Sequence, residues 1–158
     1  MLIKFSDFIQ AREQVEKRVN ELTQMLRNEA EEFLTQYKQS LFTPNDTWSD
    51  GKRDYPYARL MNLTDKEMFV QQSTQSLVLD KQNNVSFFIA TLINENTQGG
   101  QWIYVPIRMS INNRNVMVTI DNSGHEEVPL GGEGRGYHDA CGLVKEAVIK
   151  QIKSRFPN

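Results

Sequence analysis

An alternating stretch in the second half of the chain decides the fold: Trp102-Ile103-Tyr104-Val105-Pro106-Ile107-Arg108-Met109-Ser110-Ile111. Successive side chains of a β-strand point to opposite faces, so the odd-numbered apolar residues would face a core and the even-numbered set would stay accessible. Pro106 has no N–H to donate to a neighbouring strand. It therefore predicts that this strand lies at a sheet edge or carries a bulge.

Further extended segments are predicted on both sides of this strand. Residues 85–93 are apolar on both faces, which is typical of a central strand, and residues 77–79 and 116–120 are short apolar runs. Polar turns join these segments, so residues 75–121 are predicted to form an antiparallel meander of four strands. Residues 59–70 are compatible with a strand or a short helix, and a strand near Met68 would be the fifth.

A long helix is predicted over residues 1–43, because Gly51 is the first glycine, Pro44 is the first proline, and Ser6 is a suitable N-cap. Such a helix is roughly 50 Å long, whereas a chain of this size has a radius of gyration of about 15 Å. We therefore expect it to overhang the body, to bend, or to meet a partner. Apolar residues in two offset series of seven give an interface stripe of Phe8, Val15, Val19, Leu22 and Leu26.

A second helix is predicted over residues 137–158, with apolar residues three and four apart from Ala140 to Ile152. Both helices are expected on the same face of the sheet, which makes the fold class α+β. The sequence is interpreted as a single α+β domain over residues 1–158. Between the first helix and the meander lies a loop-rich connection, residues 44–74, and before the second helix lies a glycine-rich loop, residues 122–136.

Composition excludes several classes of function. The chain has 158 residues, a formal net charge of −2, one cysteine and two histidines. These numbers leave no large positive field for nucleic acid, no internal disulfide and no zinc-ligand set. No segment has the roughly 20 apolar residues of a membrane span, so we expect a cytoplasmic protein with no membrane contact, no metal and no cofactor.

Three residues of the alternating strand, Trp102, Tyr104 and Arg108, are candidates for ligand binding, because aromatic rings and arginine are common at interfaces and stack on flat ligands. The alternative is that the loop containing Trp48 and Tyr55 covers these rings as a second small core. Single-stranded nucleic acid on Trp102 and Tyr104 is a further hypothesis, and the acidic net charge disfavours it.

A second set of candidates surrounds the glycine-rich segment 131–136, which precedes a helix N-terminus and includes Arg135. Backbone N–H groups in such a loop can bind an anion, although a mobile loop is the commoner reading. His138 and Cys141 at the helix start form a weak catalytic candidate, with His125 as another acid or base. A lone cysteine is more often a small buried apolar residue.

Two hypotheses of function follow. The first is a non-enzymatic protein-binding or regulatory domain, which acts through a protein partner or self-association along the N-terminal helix. The second is a small enzyme or ligand-binding domain with a cleft between the accessible sheet face and the loop from Gly131 to Gly136.

Overall fold

The computed structural model describes residues 1–95, 98–121, 123–131 and 136–155. Helix α1 is Phe5–Ser40 and helix α2 is His138–Arg155. The strands of these ranges are β1 (Thr47–Ser49), β2 (Asp54–Pro56), β3 (Ala58–Leu63), β4 (Phe69–Gln71), β5 (Val85–Asn94), β6 (Gln101–Asn112), β7 (Asn115–Ile120) and β8 (Gly124–Pro129), and a 3-10 turn covers Thr74–Ser76.

The predicted α+β class is confirmed, with a larger sheet than expected. Six antiparallel strands pair in the order β4-β3-β5-β6-β7-β8. From β5 to β8 each strand pairs with the next one in sequence, while β3 pairs with the other side of β5. Strand β5 is therefore an inner strand, as its apolar residues on both faces indicate. Three strands of the predicted meander, β5 to β7, are present, but its fourth strand is β8 and not residues 77–79.

Both helices pack on one face of the sheet, which we call the inner face. Ile103, Val105, Ile107 and Met109 of β6 join Leu26 and Phe33 of α1 and Val144 of α2 in one buried cluster. Phe33 stacks on Tyr137 with ring centroids 5.1 Å apart. Lys145 of α2 donates to the backbone oxygen of Ser40 at 2.7 Å, so α2 also caps the C-terminal end of α1.

The prediction of a strand at residues 77–79 is wrong. These residues follow the 3-10 turn in an irregular segment, where Leu77 is buried in the core and Val78 is exposed. The Arg27 side chain of α1 donates to the backbone oxygen of Leu77 at 2.8 Å. Leu77 and the half-buried Leu79 therefore anchor the segment beneath α1, and its backbone pairs with a helix side chain in place of a strand.

The connection over residues 44–74 is more ordered than predicted. Strands β1 and β2 form a hairpin with Trp48 opposite Tyr55, and β3 and β4 form a second hairpin with Asn62 opposite Val70. For residues 59–70 the strand alternative is correct, and the additional strand begins at Phe69, next to Met68. Of the turn-forming residues that suggested a long loop, Asp50 and Gly51 lie at the tip of the first hairpin, whereas Asp54 and Pro56 lie within β2.

The glycine-rich loop predicted over residues 122–136 contains a strand, β8, which pairs with β7 from Gly124 opposite Ile120 to Pro129 opposite Asn115. Its polar sequence explains the error. An edge strand has one solvated side, and charged residues such as Glu126 and Glu127 together with a terminal proline protect it from pairing with other chains. In this strand Val128 is the one residue buried in the core.

The prediction from Pro106 is also wrong, because β6 is an inner strand between β5 and β7. The register runs through Phe88 opposite Pro106 without interruption, and the irregularity lies between Leu92 and Asn94. The backbone oxygen of Pro106 accepts from Asp121, just beyond the end of β7, at 3.2 Å. The nitrogen of Pro106 therefore faces the end of β7. The hydrogen bond that proline cannot donate is lost at the end of the β6–β7 pairing and not in its middle.

A buried hydrogen bond joins α1 to the sheet. The hydroxyl groups of Tyr37 and Thr91 are 2.8 Å apart, and burial raises the pKa of Tyr37 to about 12. We expect Tyr37→Phe to lower the free energy of unfolding by about 1 to 3 kcal/mol, because the Thr91 hydroxyl is left buried without its partner. Urea unfolding measures this change.

The control is a double-mutant cycle with Thr91→Val. The Tyr37→Phe/Thr91→Val protein is expected to lose clearly less stability than the two single changes together, since it leaves neither hydroxyl unpaired. Strictly additive losses would show that the two hydroxyl groups do not depend on each other.

Candidate functional site

The N-terminal part of α1 extends beyond the body of the protein. Every residue up to Glu21 is exposed, and Leu26 is the first buried residue of the helix. Contacts with the body begin where Gln24 donates to Gln75 at 3.3 Å, and they continue where Thr74 donates to Glu31 at 2.9 Å. We call residues 5–21 the arm. At 1.5 Å per residue the arm is about 25 Å long.

An apolar stripe runs along the arm. Phe8 and Val15 are each 63% exposed and Val19 is 38% exposed, while Leu22 at the base of the arm is half-buried. Phe5 is 75% exposed and continues the stripe by one turn toward the N-terminus, a position that the sequence reasoning missed. We call Phe5, Phe8, Val15, Val19 and Leu22 the seam.

Leu26 was also predicted as an interface residue, and the structure places it elsewhere. Its side chain is fully buried in the core with Ala30, Phe33 and Tyr37. One seven-residue series runs on through Val19, Leu26 and Phe33 and passes from the arm into the core. The other ends at Leu22, because Glu29 takes the next position, so the residue types mark the boundary only approximately.

The charges of the arm balance when Lys4, the residue directly before it, is counted with them. Residues 4–21 contain four basic and four acidic side chains. Arg12 and Glu16, one turn apart, form an ion pair at 3.1 Å. An exposed pair of this kind adds little stability. The mixed charges nevertheless give the arm no net attraction for a strongly acidic or strongly basic partner.

The aromatic candidates Trp102 and Tyr104 lie on the outer face of the sheet, Trp102 against the β1–β2 hairpin and Tyr104 against Phe69 of β4. Trp102 is 8% exposed, and the Tyr55 ring of the hairpin lies edge to face against it, with ring centroids 6.3 Å apart. Tyr104 stacks on Phe69 with ring centroids 4.1 Å apart. The guanidinium of Arg59 lies 4.1 Å from the Trp102 ring centroid. These rings belong to a second small core with Trp48 and Phe69, the alternative that the sequence left open.

Arg108 belongs to the uncovered half of the same outer face and is exposed. A shallow cavity of about 250 Å³ adjoins it, lined by residues that include Ser86, Pro106, Thr119 and Asp121. The structure therefore separates Arg108 from the covered aromatic rings of the same strand. Arg135, the remaining ligand-binding candidate, lies in 132–135, outside the described residues.

Asp50 fixes the hairpin in its position over the aromatic rings. Its carboxylate accepts hydrogen bonds from the backbone N–H groups of Lys52 at 2.8 Å and Arg53 at 2.9 Å, and from Gly99 at 2.8 Å. Hydrogen bonds from Arg53 and then from Lys52 and Gly99 lower the pKa of this carboxyl group. One side chain thus closes the hairpin turn and links it to the β5–β6 connection.

The weak catalytic candidates do not form an activated group. Cys141 is buried, and burial raises the pKa of its thiol to about 11, the opposite of what a nucleophile requires. His138 is the first residue of α2 and lines a groove of about 760 Å³ between the two helices, which Cys141 and Lys145 also line. His125 lies on β8, opposite Thr119 of β7.

The described ends of the glycine-rich segment lie against α1. Gly131 donates to the buried carboxylate of Glu29 at 3.4 Å, and the backbone N–H of Tyr137 donates to Gln36 at 2.8 Å. Burial is the main cause that raises the pKa of Glu29. Because α1 covers the inner face, the described parts of this segment and Trp102 lie on opposite sides of the sheet. The described residues therefore do not form the predicted cleft.

No protein-family model, curated protein or solved structure matches this chain. Within the described ranges, His, Cys, Asp and Glu side chains form no group of three or more that could hold a metal ion. Neither helix, over its described residues, has the apolar length needed to cross a membrane.

A pair of neighbouring glycines tests how tightly the hairpin packs. Gly99 and Gly100 both have φ of +77°, but a Cβ at Gly100 would lie 2.6 Å from Trp48 and from Leu92, whereas a Cβ at Gly99 would meet nothing within 4 Å. Gly100→Ala is therefore expected to lower the unfolding free energy by about 1 to 3 kcal/mol more than Gly99→Ala. Urea unfolding followed by tryptophan fluorescence measures the difference.

Gly99→Ala is the matched control, since both changes carry the same backbone strain. Equal losses of stability in the two variants would mean that the hairpin gives way without cost and is not packed on the sheet.

The burial of Cys141 predicts its reactivity. At pH 8 the native thiol should react with Ellman's reagent about a hundredfold more slowly than the urea-unfolded protein, because little thiolate forms and the reagent has poor access. Stopped-flow absorbance compares the two rates. Native reaction as fast as that of the unfolded chain would restore Cys141 as a catalytic candidate.

Proposed function

We propose that this protein acts through protein–protein contact and that the arm of α1 is its contact element. The observation that carries the proposal is the seam, a row of large apolar side chains on a helix that projects from the body. Apolar surface of this kind is costly to keep in water, and a contiguous patch commonly marks a site of interaction. Self-association is the simplest form of the proposal, because a heptad stripe on one helix is complementary to the same stripe on another.

The alternative from the sequence, a small enzyme or ligand-binding domain, has less support. It depends on Cys141 and His138 acting together, and the raised pKa of the buried thiol works against nucleophilic attack at neutral pH. It also depends on Trp102 and Tyr104 facing a cleft, whereas the hairpin and Phe69 pack on them. The groove between α1 and α2 is the place where a ligand screen would begin.

The proposal predicts a concentration-dependent dimer that a charge in the seam breaks. Val15→Asp should weaken the dimer about a hundredfold or more, because each dimer loses two buried valine side chains at about 1.5 kcal/mol each and gains two charges near apolar surface. Since Val15 lies outside the body, the variant should unfold at the same urea concentration as the wild-type monomer. Sedimentation velocity over a concentration series measures the mass.

The matched control is Gln14→Asp, which adds the same charge to the neighbouring residue, off the seam. It is expected to sediment like the wild type. A wild type that remains a monomer at every concentration would refute self-association through the arm.

A further inference from the structure

The direction in which two arms can pair follows from the burial of α1 directly after the seam. Counting by sevens from Phe5 along α1 reaches Arg12, Val19, Leu26 and Phe33. Leu26 and Phe33 are fully buried against the sheet of their own chain. The face of α1 that carries the seam is therefore free on the arm and occupied by the body from Leu26 onward.

A parallel pair of helices conflicts with this arrangement. A partner helix that ran in the same direction along the seam would continue past Leu22 into the space that the sheet occupies. An antiparallel partner meets no such obstacle, because its N-terminal end points toward the body and its own body lies at the far end of the pair. Only the antiparallel direction allows both arms to use their full length.

The ends of the seam then set the register. The seam runs from Phe5 to the half-buried Leu22, so complete overlap of two antiparallel arms places Phe5 opposite Leu22 of the second copy. The same register places Phe8 opposite Val19 and Arg12 opposite Val15. The two-fold axis passes between residues 13 and 14.

The position of Arg12 within the stripe also favours the antiparallel direction. It is the charged residue within the stripe, and a parallel pair in register would bring the two Arg12 side chains directly together. Like charges at facing seam positions oppose pairing. In the antiparallel register each Arg12 faces a valine and keeps its own Glu16 at 3.1 Å.

Charge and area favour a second copy over other occupants. The four basic and four acidic side chains of residues 4–21 cancel, whereas helices that lie on anionic lipid carry a strongly basic polar face. At about 150 Å² per ring, the four phenylalanines of two arms cover roughly 600 Å². The valines, Leu22 and the aliphatic parts of neighbouring side chains extend this toward the roughly 1,000 Å² at which specific interfaces begin.

We propose that the partner of the arm is a second copy of this chain, paired antiparallel with Phe8 of each copy against Val19 of the other. The inference rests on the proposed function and adds the identity, direction and register of the partner. An interface of this size gives a weak dimer, so the test requires high protein concentration.

Cysteine cross-linking tests the arrangement, and the native Cys141 does not interfere because it is buried. Phe8→Cys and Val19→Cys are prepared as separate proteins of different tag mass, and each is oxidised in a glutathione buffer alone and as a mixture. A disulfide requires Cα atoms within about 7 Å, and the antiparallel register separates residue 8 from residue 8 of the other copy by about 16 Å along the axis. We expect the mixed disulfide dimer in the mixture and no covalent dimer in either protein alone.

Each other outcome overturns the inference in a distinguishable way. Covalent dimers of each variant alone would show parallel arms, which rejects the arrangement and keeps the proposed function. A wild type that sediments as a dimer while no combination of variants cross-links would reject the register. A wild-type monomer that floats with phosphatidylcholine–phosphatidylserine vesicles would assign the arm to a membrane surface, and a monomer without lipid binding would reject the second copy together with self-association.

Discussion

Leu26, Ala30, Phe33 and Tyr37 lie three or four residues apart on α1, and together they bury one stripe of the helix against the inner face of the sheet. This contact sets the positions of α2 and of the arm. Helix α2 packs beside α1 on the same face, and its Lys145 caps the end of α1. The contact of α1 with the sheet also fixes the point at which α1 leaves the body, because Leu26 is the last apolar position that the sheet can cover.

The two faces of the sheet are covered by different elements. The inner face is covered by two helices, and the outer face is covered in part by the β1–β2 hairpin through Trp48 and Tyr55. This second core is small, and the half-buried Asp50 carboxylate holds its cover in place. The remaining outer surface around Arg108 is mixed, with Ser86, Thr119 and Asp121 beside Phe88 and Pro106. The sheet therefore has one structural face and one face divided between packing and solvent.

The regular parts of the fold could be predicted from the sequence because their apolar periods are long. Helix α1, strands β5 to β7 and helix α2 each repeat their pattern over enough residues to identify the element. Strand β8 could not be identified in this way, since an edge strand needs polar residues and then resembles a turn. Residues 77–79 gave the opposite error, because a short apolar run satisfies a strand pattern, whereas here Leu77 and Leu79 anchor a loop and Val78 is exposed. For the candidate site, the stripe on α1 was visible in the sequence, but its division into seam and core depends on where the sheet ends.

The length of the arm has a thermodynamic consequence. Isolated helices of fewer than about 12 to 15 residues are marginal in water because the first turn is costly to form, while each further residue adds to an existing helix at little cost. The buried half of α1 supplies that first turn, so the arm grows from a nucleus that the core maintains. The two halves of this continuous helix thus differ in stability. The buried half unfolds only with the whole protein, whereas the N-terminal turns of the arm can fray and re-form while the rest stays folded.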